Sequence, residues 1–238
     1  VDEYREMYHA PVLAHFKEKE NTFIWNKESL DKTVSYVRSW SEQINTSTTA
    51  EQDFAFKYLY TPKYRQVDSG RSLFAYGTST DLFSISYEQL GSIDFRWIQT
   101  DNQIPVEDNI VMAGIYQRSY NAAAAKAFLL WLFQEDTQKA LLERAAKMNL
   151  GSAAFGIAGG FSSVRDVTEK SFPLYYRTLL GNLPPENALQ APHSFPTRWT
   201  SLKERTILPY LEEATKTDSK KTVKPIEERI ASWSKQFE

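Results

Sequence analysis

The amino-acid sequence predicts a helix-rich α/β fold, and three observations support this prediction. Apolar residues recur at spacings of three and four over residues 30–44 and again over 223–237, which is typical of amphipathic helices. An alanine-rich helix followed directly by a second helix is predicted over residues 121–148. Short apolar or alternating stretches typical of strands lie between these regions. Helices should therefore outweigh a small mixed sheet.

Composition limits the classes of protein to which the chain can belong. Its 238 residues suit one large domain or two small ones, and 28 basic against 30 acidic residues give a net charge of −2. This balance offers no basic excess for binding nucleic acid or anionic membranes. The absence of cysteine excludes disulfides and thiolate metal sites. The longest apolar run, residues 122–133, contains Lys126 and is too short to cross a bilayer.

The first third of the chain is predicted to be mainly helical. The polar start VDEYREMYH is unlike a signal peptide, and a first residue other than Met suggests a mature or truncated form. Residues 1–24 should begin as a helix and then become irregular. A second helix should follow Asn26, a suitable N-cap, and the polar run 45–53 is predicted as a loop. The residues expected on the buried face of this helix are Leu30, Val34, Val37, Trp40 and Ile44.

Three stretches are predicted as strands. Residues 72–76 form a short apolar stretch, and residues 93–97 alternate apolar with charged side chains at a period of two. Residues 110–116 are apolar enough for a central strand of a sheet.

The remaining elements are predicted to be helices separated by two loops. The paired helices should run from about 120 to 133, and from a cap at Asp136 to near Gly151. A Gly-rich loop or tight strand follows over 151–160, then a short helix over 172–180.

The last part of the chain is predicted to be extended and then helical. Residues 182–196 are rich in proline and should be extended. Ser201 and Glu204 have the spacing of a capping box, with an earlier start of the helix as the alternative. Pro209 should kink this helix. An amphipathic helix is predicted to end the chain.

The sequence offers no pattern for catalysis or for metal binding. The histidines His9, His15 and His193 lack the spacing of metal ligands, and adjacent acidic pairs such as Glu135–Asp136 point apart on a helix. No nucleophile or phosphate-loop motif occurs. We therefore predict no catalytic residue, no bound metal and no cofactor.

Aromatic and hydroxyl side chains remain as candidates for binding. Trp199 follows a Pro-rich loop, so it is expected either at an exposed cleft rim or as a packing plug between helix and loop. The hydroxyls of residues 78–80 follow a predicted strand and offer either ligand contacts or an ordinary polar turn. Trp25 and Trp97 are interpreted as core residues.

Several segments resemble one protein family when taken in order. VDSGRSLFAYGTST, AAAAKAFLLWLFQEDTQKALLE with its Gln138, GGFSSVRDV and the closing LKERTILPYLEE resemble successive motifs of extracellular solute-binding protein family 1, which serves sugar ABC importers. Ser162 or Ser163 stands where the family has proline. The resemblance spans residues 28–236. It implies a periplasmic binding protein-like type II fold, with residues 1–238 forming a single helix-rich C-terminal lobe.

The resemblance also implies a missing part of the protein. Nothing in the chain matches the first, N-terminal lobe of the family. Residues 107–160 are then expected to supply the strand and helices that pack on that missing lobe.

The resemblance implies a ligand site made from three segments. In the family, the turn at 77–80 and the loop at 160–161 lie near the ligand, and an aromatic residue at the position of Trp199 stacks on a sugar ring. The implied ligand-binding residues are Gly77, Thr78, Ser79, Thr80, Gly160, Phe161 and Trp199.

The expected function is that of a substrate-binding component of an ABC importer, not of an enzyme. Its expected partners are a small solute, in particular a carbohydrate, the importer's permease and the missing lobe, with no nucleic acid. Its expected location is the periplasm or cell surface, anchored as a lipoprotein in the full-length form. The alternative is a protein-interaction or scaffold domain without a small-molecule site, which predicts an exposed apolar patch. A third hypothesis is a hydrolase that uses scattered carboxylates. It requires two acidic residues close together in a cleft, and the sequence offers no pair of acids at positions that would indicate this.

Overall fold

The computed structural model describes most of the chain, which divides into two compact units. The described residues are 17–19, 22–91, 93–99, 102–150, 154–190, 195–196, 198–218 and 222–237. Unit 1 comprises Val1–Tyr76, Pro105–Asp108 and Gln190–Glu238, and unit 2 comprises Gly77–Ile104 and Asn109–Leu189. The chain is helix-rich, as predicted.

The described α-helices, in chain order, are α1 (Lys27–Gln43), α2 (Thr48–Tyr58), α3 (Lys63–Asp68), α4 (Ser79–Phe83), α5 (Tyr87–Leu90), α6 (Ala122–Leu132), α7 (Glu135–Lys147), α8 (Phe172–Tyr175), α9 (Trp199–Leu202), α10 (Leu208–Thr215) and α11 (Ile226–Ser234). Two π-helical segments, Val167–Ser171 and Lys203–Ile207, precede α8 and α10. Short 3₁₀ turns lie at Arg177–Leu179 and Glu186–Ala188.

The strands within the described residues form two two-stranded pairs. β1 (Lys17–Lys19) pairs antiparallel with β2 (Thr22–Ile24). β3 (Ile104–Pro105) pairs with β4 (Leu189–Gln190). Residues 1–16, where the first helix was predicted, lie outside the described residues.

Helix α1 confirms the prediction made from its N-cap and its apolar spacing. The Oδ1 atom of Asn26 accepts a hydrogen bond from the backbone N–H of Ser29 at 3.0 Å. Leu30 and Val37 are buried on the inner face of the helix, whereas Ile44 is exposed just beyond its end. Local spacing was therefore sufficient to predict this helix.

The prediction of a loop over 45–53 is wrong, because α2 begins inside it. Ser47 caps the helix by accepting a hydrogen bond from the N–H of Ala50 at 3.1 Å. The hydroxyl oxygen of Thr217 accepts a hydrogen bond from the backbone N–H of Thr48 at 2.9 Å. The Oδ2 atom of Asp218 accepts one from the backbone N–H of Thr49 at 2.9 Å. These partners lie far away in the sequence, so local composition could not show that the helix starts here.

The core of unit 1 is formed by α1 and the C-terminal helices. Its buried members are Leu30, Trp199, Leu202, Ile207, Leu211, Ile226, Ile230 and Trp233. Trp25 is half-buried against this cluster, in agreement with its interpretation as a core residue. The C-terminal amphipathic helix predicted near 223–237 is confirmed as α11, whose buried face carries Ile226, Ile230 and Trp233.

The capping box predicted at Ser201 is wrong, because α9 already begins at Trp199 with Arg198 at its N-cap. The disturbance predicted at Pro209 takes the form of the π-helical segment Lys203–Ile207. Pro209 has no N–H to donate, so the turn before it cannot keep its regular α-helical hydrogen bonds.

The paired helices of unit 2 confirm the predicted positions of α6 and α7. Asp136 is not the cap of α7, since Gln134 holds that position and Asp136 lies in the first turn. A carboxylate in the first turn still interacts favourably with the positive end of the helix. The helix predicted over 172–180 is shorter than expected and consists of α8 followed by a 3₁₀ turn.

Aromatic rings dominate the core of unit 2. Its buried members are Phe83, Leu142, Phe155, Val167, Phe172 and Leu179. The ring of Phe155 lies 4.9 Å from that of Phe83 and 5.7 Å from that of Phe172, measured between centroids. Trp97 packs against this cluster and donates its indole N–H to the carbonyl of Asn182 at 2.8 Å. Trp97 therefore serves the core, as the sequence indicated.

All three predicted strands, residues 72–76, 93–97 and 110–116, are wrong, since these described residues form no strand. In the stretch 93–97 the alternation is real, because Phe95 and Trp97 pack on the core while Asp94 and Arg96 are exposed. No described segment supplies a neighbouring strand, so no ladder forms. Residues 109–118 are all exposed rather than central.

Residues 154–160 form turns, as predicted for the Gly-rich loop, while 151–153 lie outside the described residues. Within 182–196 the described part includes the two-residue strand β4 and one 3₁₀ turn. None of the described helices combines the length and apolar character that a membrane span requires.

Candidate functional site

The turn at residues 77–80 is held by the cap of α4. The hydroxyl of Thr78 accepts from the N–H of Asp81 at 3.1 Å and donates to the Oδ2 atom of Asp81 at 2.9 Å. The backbone N–H of Thr78 also donates to this carboxylate, at 3.2 Å. The hydroxyl and amide of Thr78 are therefore committed to the capping box and are not free for a ligand.

Thr80 brings this turn against the loop formed by residues 156–161. Its hydroxyl donates a hydrogen bond to the carbonyl of Gly159 at 2.8 Å. Both groups belong to unit 2, and 79 positions separate them in the sequence. Two of the three segments expected to contact a ligand are therefore neighbours.

The loop 156–161 is a tight turn that requires glycine at one position. The N–H of Ile157 donates to the carbonyl of Gly160 at 3.0 Å, and the N–H of Gly160 donates to the carbonyl of Ile157 at 3.2 Å. Gly156 has φ +61°, and a Cβ atom there would lie 2.2 Å from the carbonyl oxygen of Gly160. Its own N–H donates to the hydroxyl of Tyr176 at 2.8 Å. The loop is thus fixed from both sides.

Besides Thr78 and Thr80, which are half-buried, four predicted residues of unit 2 keep accessible surface at this junction. Gly77 is exposed, and Ser79, Gly160 and Phe161 are half-buried. The hydroxyl of Ser79 makes no hydrogen bond with any other residue that the structure describes. No heavy atom lies within 4 Å of where a Cβ would stand on Gly77 or Gly160. The groups that remain available to a ligand are therefore the hydroxyl of Ser79 and the backbones of Gly77 and Gly160.

Phe161 contributes to the core of unit 2 more than to a free surface. Its ring centroid lies 5.0 Å from that of Phe155, 5.3 Å from that of Phe172 and 6.1 Å from that of Trp97. The half-buried ring fixes the end of the loop against these neighbours.

Trp199 is buried in unit 1, so the expectation that it is exposed at a cleft rim is wrong. Only 7% of its surface is exposed, and its ring stacks on that of Phe195 at 5.4 Å between centroids. This position fits the interpretation of Trp199 as a packing residue. Its role in sugar stacking remains a prediction.

Asp108 and Lys203 form a polar cluster with Trp199 that sequence reasoning missed. The Oδ2 atom of Asp108 accepts from the indole N–H of Trp199 at 2.6 Å and from the ammonium of Lys203 at 2.7 Å. The side chains of the acid and the lysine are both mostly buried. Asp108 and Lys203 are 95 positions apart, and no motif links them, so no sequence signal could have paired them.

Gln138 and Ser162, which come from two of the segments quoted for the family resemblance, meet in unit 2. The hydroxyl of Ser162 donates to the Oε1 atom of the buried Gln138 at 2.5 Å and accepts from the N–H of Val164 at 2.9 Å. Ser162 thus anchors the loop that ends at Phe161 to helix α7.

None of the predicted ligand residues lines either of two open surface cavities of unit 1. One of about 630 Å³ lies along α1 between Lys27 and Ser35. The other, of about 450 Å³, lies at the end of α2. No group of three or more His, Cys, Asp or Glu residues that could hold a metal occurs in the described part of the chain. The three histidines lie outside that part.

No protein family model, curated protein or solved structure matches this chain. A functional conclusion must therefore come from the chemistry of its own residues.

Proposed function

We propose that the chain is the C-terminal lobe of the solute-binding component of an ABC importer and that it captures a carbohydrate. The observation that carries this proposal is the hydrogen bond from Thr80 to the carbonyl of Gly159, which joins two loops expected to contact ligand. In this proposal residues 1–238 belong to one lobe of the type II fold. No chemical step is catalysed.

The chemistry of the joined loops supports a polyhydroxylated ligand. Ser79 offers a hydroxyl that can donate and accept, and Gly77 and Gly160 let a ligand approach the backbone closely. Sugar hydroxyls suit such groups because each can exchange hydrogen bonds in both directions. The carboxylate of Asp81 beside the turn already accepts two hydrogen bonds from Thr78.

The exposed apolar surface of unit 2 supports the proposal of a missing first lobe. All residues from 109 to 118 are exposed, and α6 buries none of its residues. Met112 is 78% exposed, and Phe128, Leu130 and Trp131 on α6 are each at least half exposed. Exposed apolar side chains in this number are typical of an interface. The proposed receptor works in the periplasm or at the cell surface as a lipoprotein and delivers its solute to a permease.

Substitution of Ser79 by Ala tests the proposed site. We expect the affinity of the full-length protein for its sugar to fall by about five- to tenfold, since one neutral hydrogen bond contributes about 1 kcal/mol. The measurement is isothermal titration calorimetry against a panel of neutral oligosaccharides. Ser39→Ala is the matched control, because Ser39 is also half-buried but lies on α1.

Two results would contradict the proposal. Failure of the full-length protein to bind any sugar of the panel would end the carbohydrate assignment. Equal weakening by Ser79→Ala and Ser39→Ala would remove the site from the 77–80 turn.

The alternative function is that of a protein-interaction domain, and the same exposed surface favours it. It predicts no sugar binding and a protein partner that covers residues 109–118. Val111→Asp would then abolish association with that partner, as measured by analytical ultracentrifugation. Under the sugar-binding proposal, the same change would instead disturb packing on the first lobe.

A further inference from the structure

An aromatic cavity at the end of α2 lies outside every site discussed so far. It has a volume of about 450 Å³ and lies wholly within unit 1. We call it the aromatic cavity, and the residues that line it are Phe54, Lys57, Tyr58, Leu59, Tyr60 and Arg71.

The three rings of the aromatic cavity are not used by the core. Phe54, Tyr58 and Tyr60 are each more than half exposed, and none belongs to the core cluster of unit 1. Phe54 and Tyr58 lie one helical turn apart on α2, with centroids 4.9 Å apart and planes tilted by 47°. Exposed rings placed side by side offer flat apolar faces to a planar or ring-shaped ligand.

The two cations of the aromatic cavity have no carboxylate partner among the residues that the structure describes. Arg71 donates to the carbonyl of Tyr58 at 3.3 Å, and its guanidinium carbon lies 5.4 Å from the centre of the Tyr60 ring. Lys57 forms no hydrogen bond or ion pair with the described residues. The lining contains no acid, so an anion that entered would interact favourably with both cations.

A buried glutamine holds the walls of the cavity in place. Gln66 is 4% exposed, and its amide donates to the carbonyls of Leu59 at 3.2 Å and Thr61 at 2.6 Å. The backbone on both sides of Tyr60 is thereby fixed. The backbone carbonyl of Gln66 also accepts a hydrogen bond from the N–H of Ser72 at 3.0 Å, and Ser72 directly follows Arg71 in the sequence. The backbone that carries Tyr60 and Arg71 is therefore held in place, which lowers the backbone part of the entropic cost of binding.

We propose that the aromatic cavity binds a small organic anion in which a carboxylate is attached to a ring with a flat apolar face. The rings of Phe54, Tyr58 and Tyr60 receive that face, and Lys57 and Arg71 receive the carboxylate. Two kinds of molecule have this chemistry, namely an aromatic acid and a sugar acid. The site is separate from the loops of the proposed function and does not depend on them.

The first experiment compares charged probes with neutral ones of the same shape. Indole-3-acetate and galacturonate represent the two sources, and indole-3-acetamide and galactose are their neutral counterparts. By calorimetry on the intact chain, we expect one of the acids to bind about tenfold or more tightly than its neutral counterpart. The acid that binds shows whether the ligand is an aromatic acid or a sugar acid. Absence of binding by both acids, or equal binding of acid and neutral probe, would overturn the proposal.

The second experiment removes one cation at a time. We expect Arg71→Ala and Lys57→Gln each to weaken binding of the acid by about tenfold, since each loses one charged contact. Arg118→Ala is the matched control, because Arg118 is an exposed cation like Lys57 and Arg71 but lies in unit 2. Lys57 is exposed and forms no hydrogen bond or ion pair with the described residues, so its variant remains informative if Arg71→Ala unfolds. Equal weakening by Lys57→Gln and Arg118→Ala would overturn the assignment.

Discussion

At the scale of single residues, Asp108 connects a short segment of unit 1 to its C-terminal helices. One carboxylate oxygen serves both the indole of Trp199 and the ammonium of Lys203. Both donors would lose this acceptor if the carboxylate were removed. Unpaired polar groups in a mostly buried place lower stability more than exposed ones do.

Substitution of Asp108 by Ala should lower the free energy of unfolding by about 2 kcal/mol, because two hydrogen bonds to a charged acceptor are lost. Urea unfolding followed by tryptophan fluorescence measures this change. Asp53→Ala is the control, since Asp53 is exposed on α2 and makes no hydrogen bond within the described residues. A loss no larger than that of the control would mean that the cluster contributes nothing to stability.

Among the glycines whose surroundings the structure describes, Gly156 has the least room for a side chain. We expect Gly156→Ala to lower the free energy of unfolding by more than about 2 kcal/mol, because a left-handed conformation adds to a direct clash with the carbonyl of Gly160. Gly159→Ala separates the two effects, since Gly159 has φ +85° but no atom within 4 Å of the added Cβ. Denaturant unfolding of both variants provides the comparison. Equal losses of unfolding free energy in the two variants would show that the clash between the added Cβ of residue 156 and the carbonyl of Gly160 is relieved at no cost.

The candidate site was predictable only in part from the sequence. The hydroxyls of residues 78–80 and the loop at 160–161 were named from motifs, and Thr80 does lie against Gly159. The motifs could not show that the hydroxyl of Thr78 is committed to Asp81 or that Trp199 is buried. Both facts depend on contacts with the surrounding structure, which residue type alone does not determine. The aromatic cavity was missed because its rings and cations follow no motif.

At the scale of elements, α2 has an unusual N-terminus, because a distant loop caps it in addition to Ser47. The Oδ2 atom of Asp218 accepts from the hydroxyl of Thr49 at 2.7 Å and from its N–H at 2.9 Å. These bonds favour the ionised carboxylate, so the hydroxyl of Thr49, and then its amide, lower the pKa of Asp218 below its ordinary value of 3.8.

The lowered pKa makes the contribution of Asp218 to stability dependent on pH. A depressed folded-state pKa means that the contribution is complete above the unfolded-state pKa and is lost as the pH falls through the folded-state value. We therefore expect Asp218→Asn to lower the melting temperature at neutral pH and the difference from wild type to shrink in acid. Thermal unfolding from about pH 7 to about pH 2 measures it. A difference that does not change with pH would contradict this account, and Asp53→Asn is the control.

Helices were more predictable than strands, for a physical reason. The spacing that defines α1, α6, α7 and α11 is local, since each helix makes its hydrogen bonds within itself. A strand needs a partner, and the alternating residues 93–97 have none among the described segments. Their alternation correctly predicted which side chains face the core, but not the hydrogen bonds.

At the scale of the whole molecule, each unit has its own core with its own chemistry. Unit 1 joins aliphatic side chains to Trp199 and Trp233, whereas phenylalanine rings form half of the buried core of unit 2. The length allowed two small domains, but it could not show where they divide. Unit 1 is assembled from three separate segments, and such discontinuity leaves no mark in local sequence patterns.

The bonds between the start of α2 and residues 217–218 have a consequence for the order in which the protein folds. Thr48 and Thr217 are 169 positions apart, so a ribosome would finish the second roughly 10 to 30 s after the first. During that interval, Ser47 alone caps the first turn of α2, and short helices without tertiary support are marginal in water. Unit 1 therefore has to wait for its last residues to be synthesised, and a nascent chain stalled before Thr217 would expose α2 to proteases.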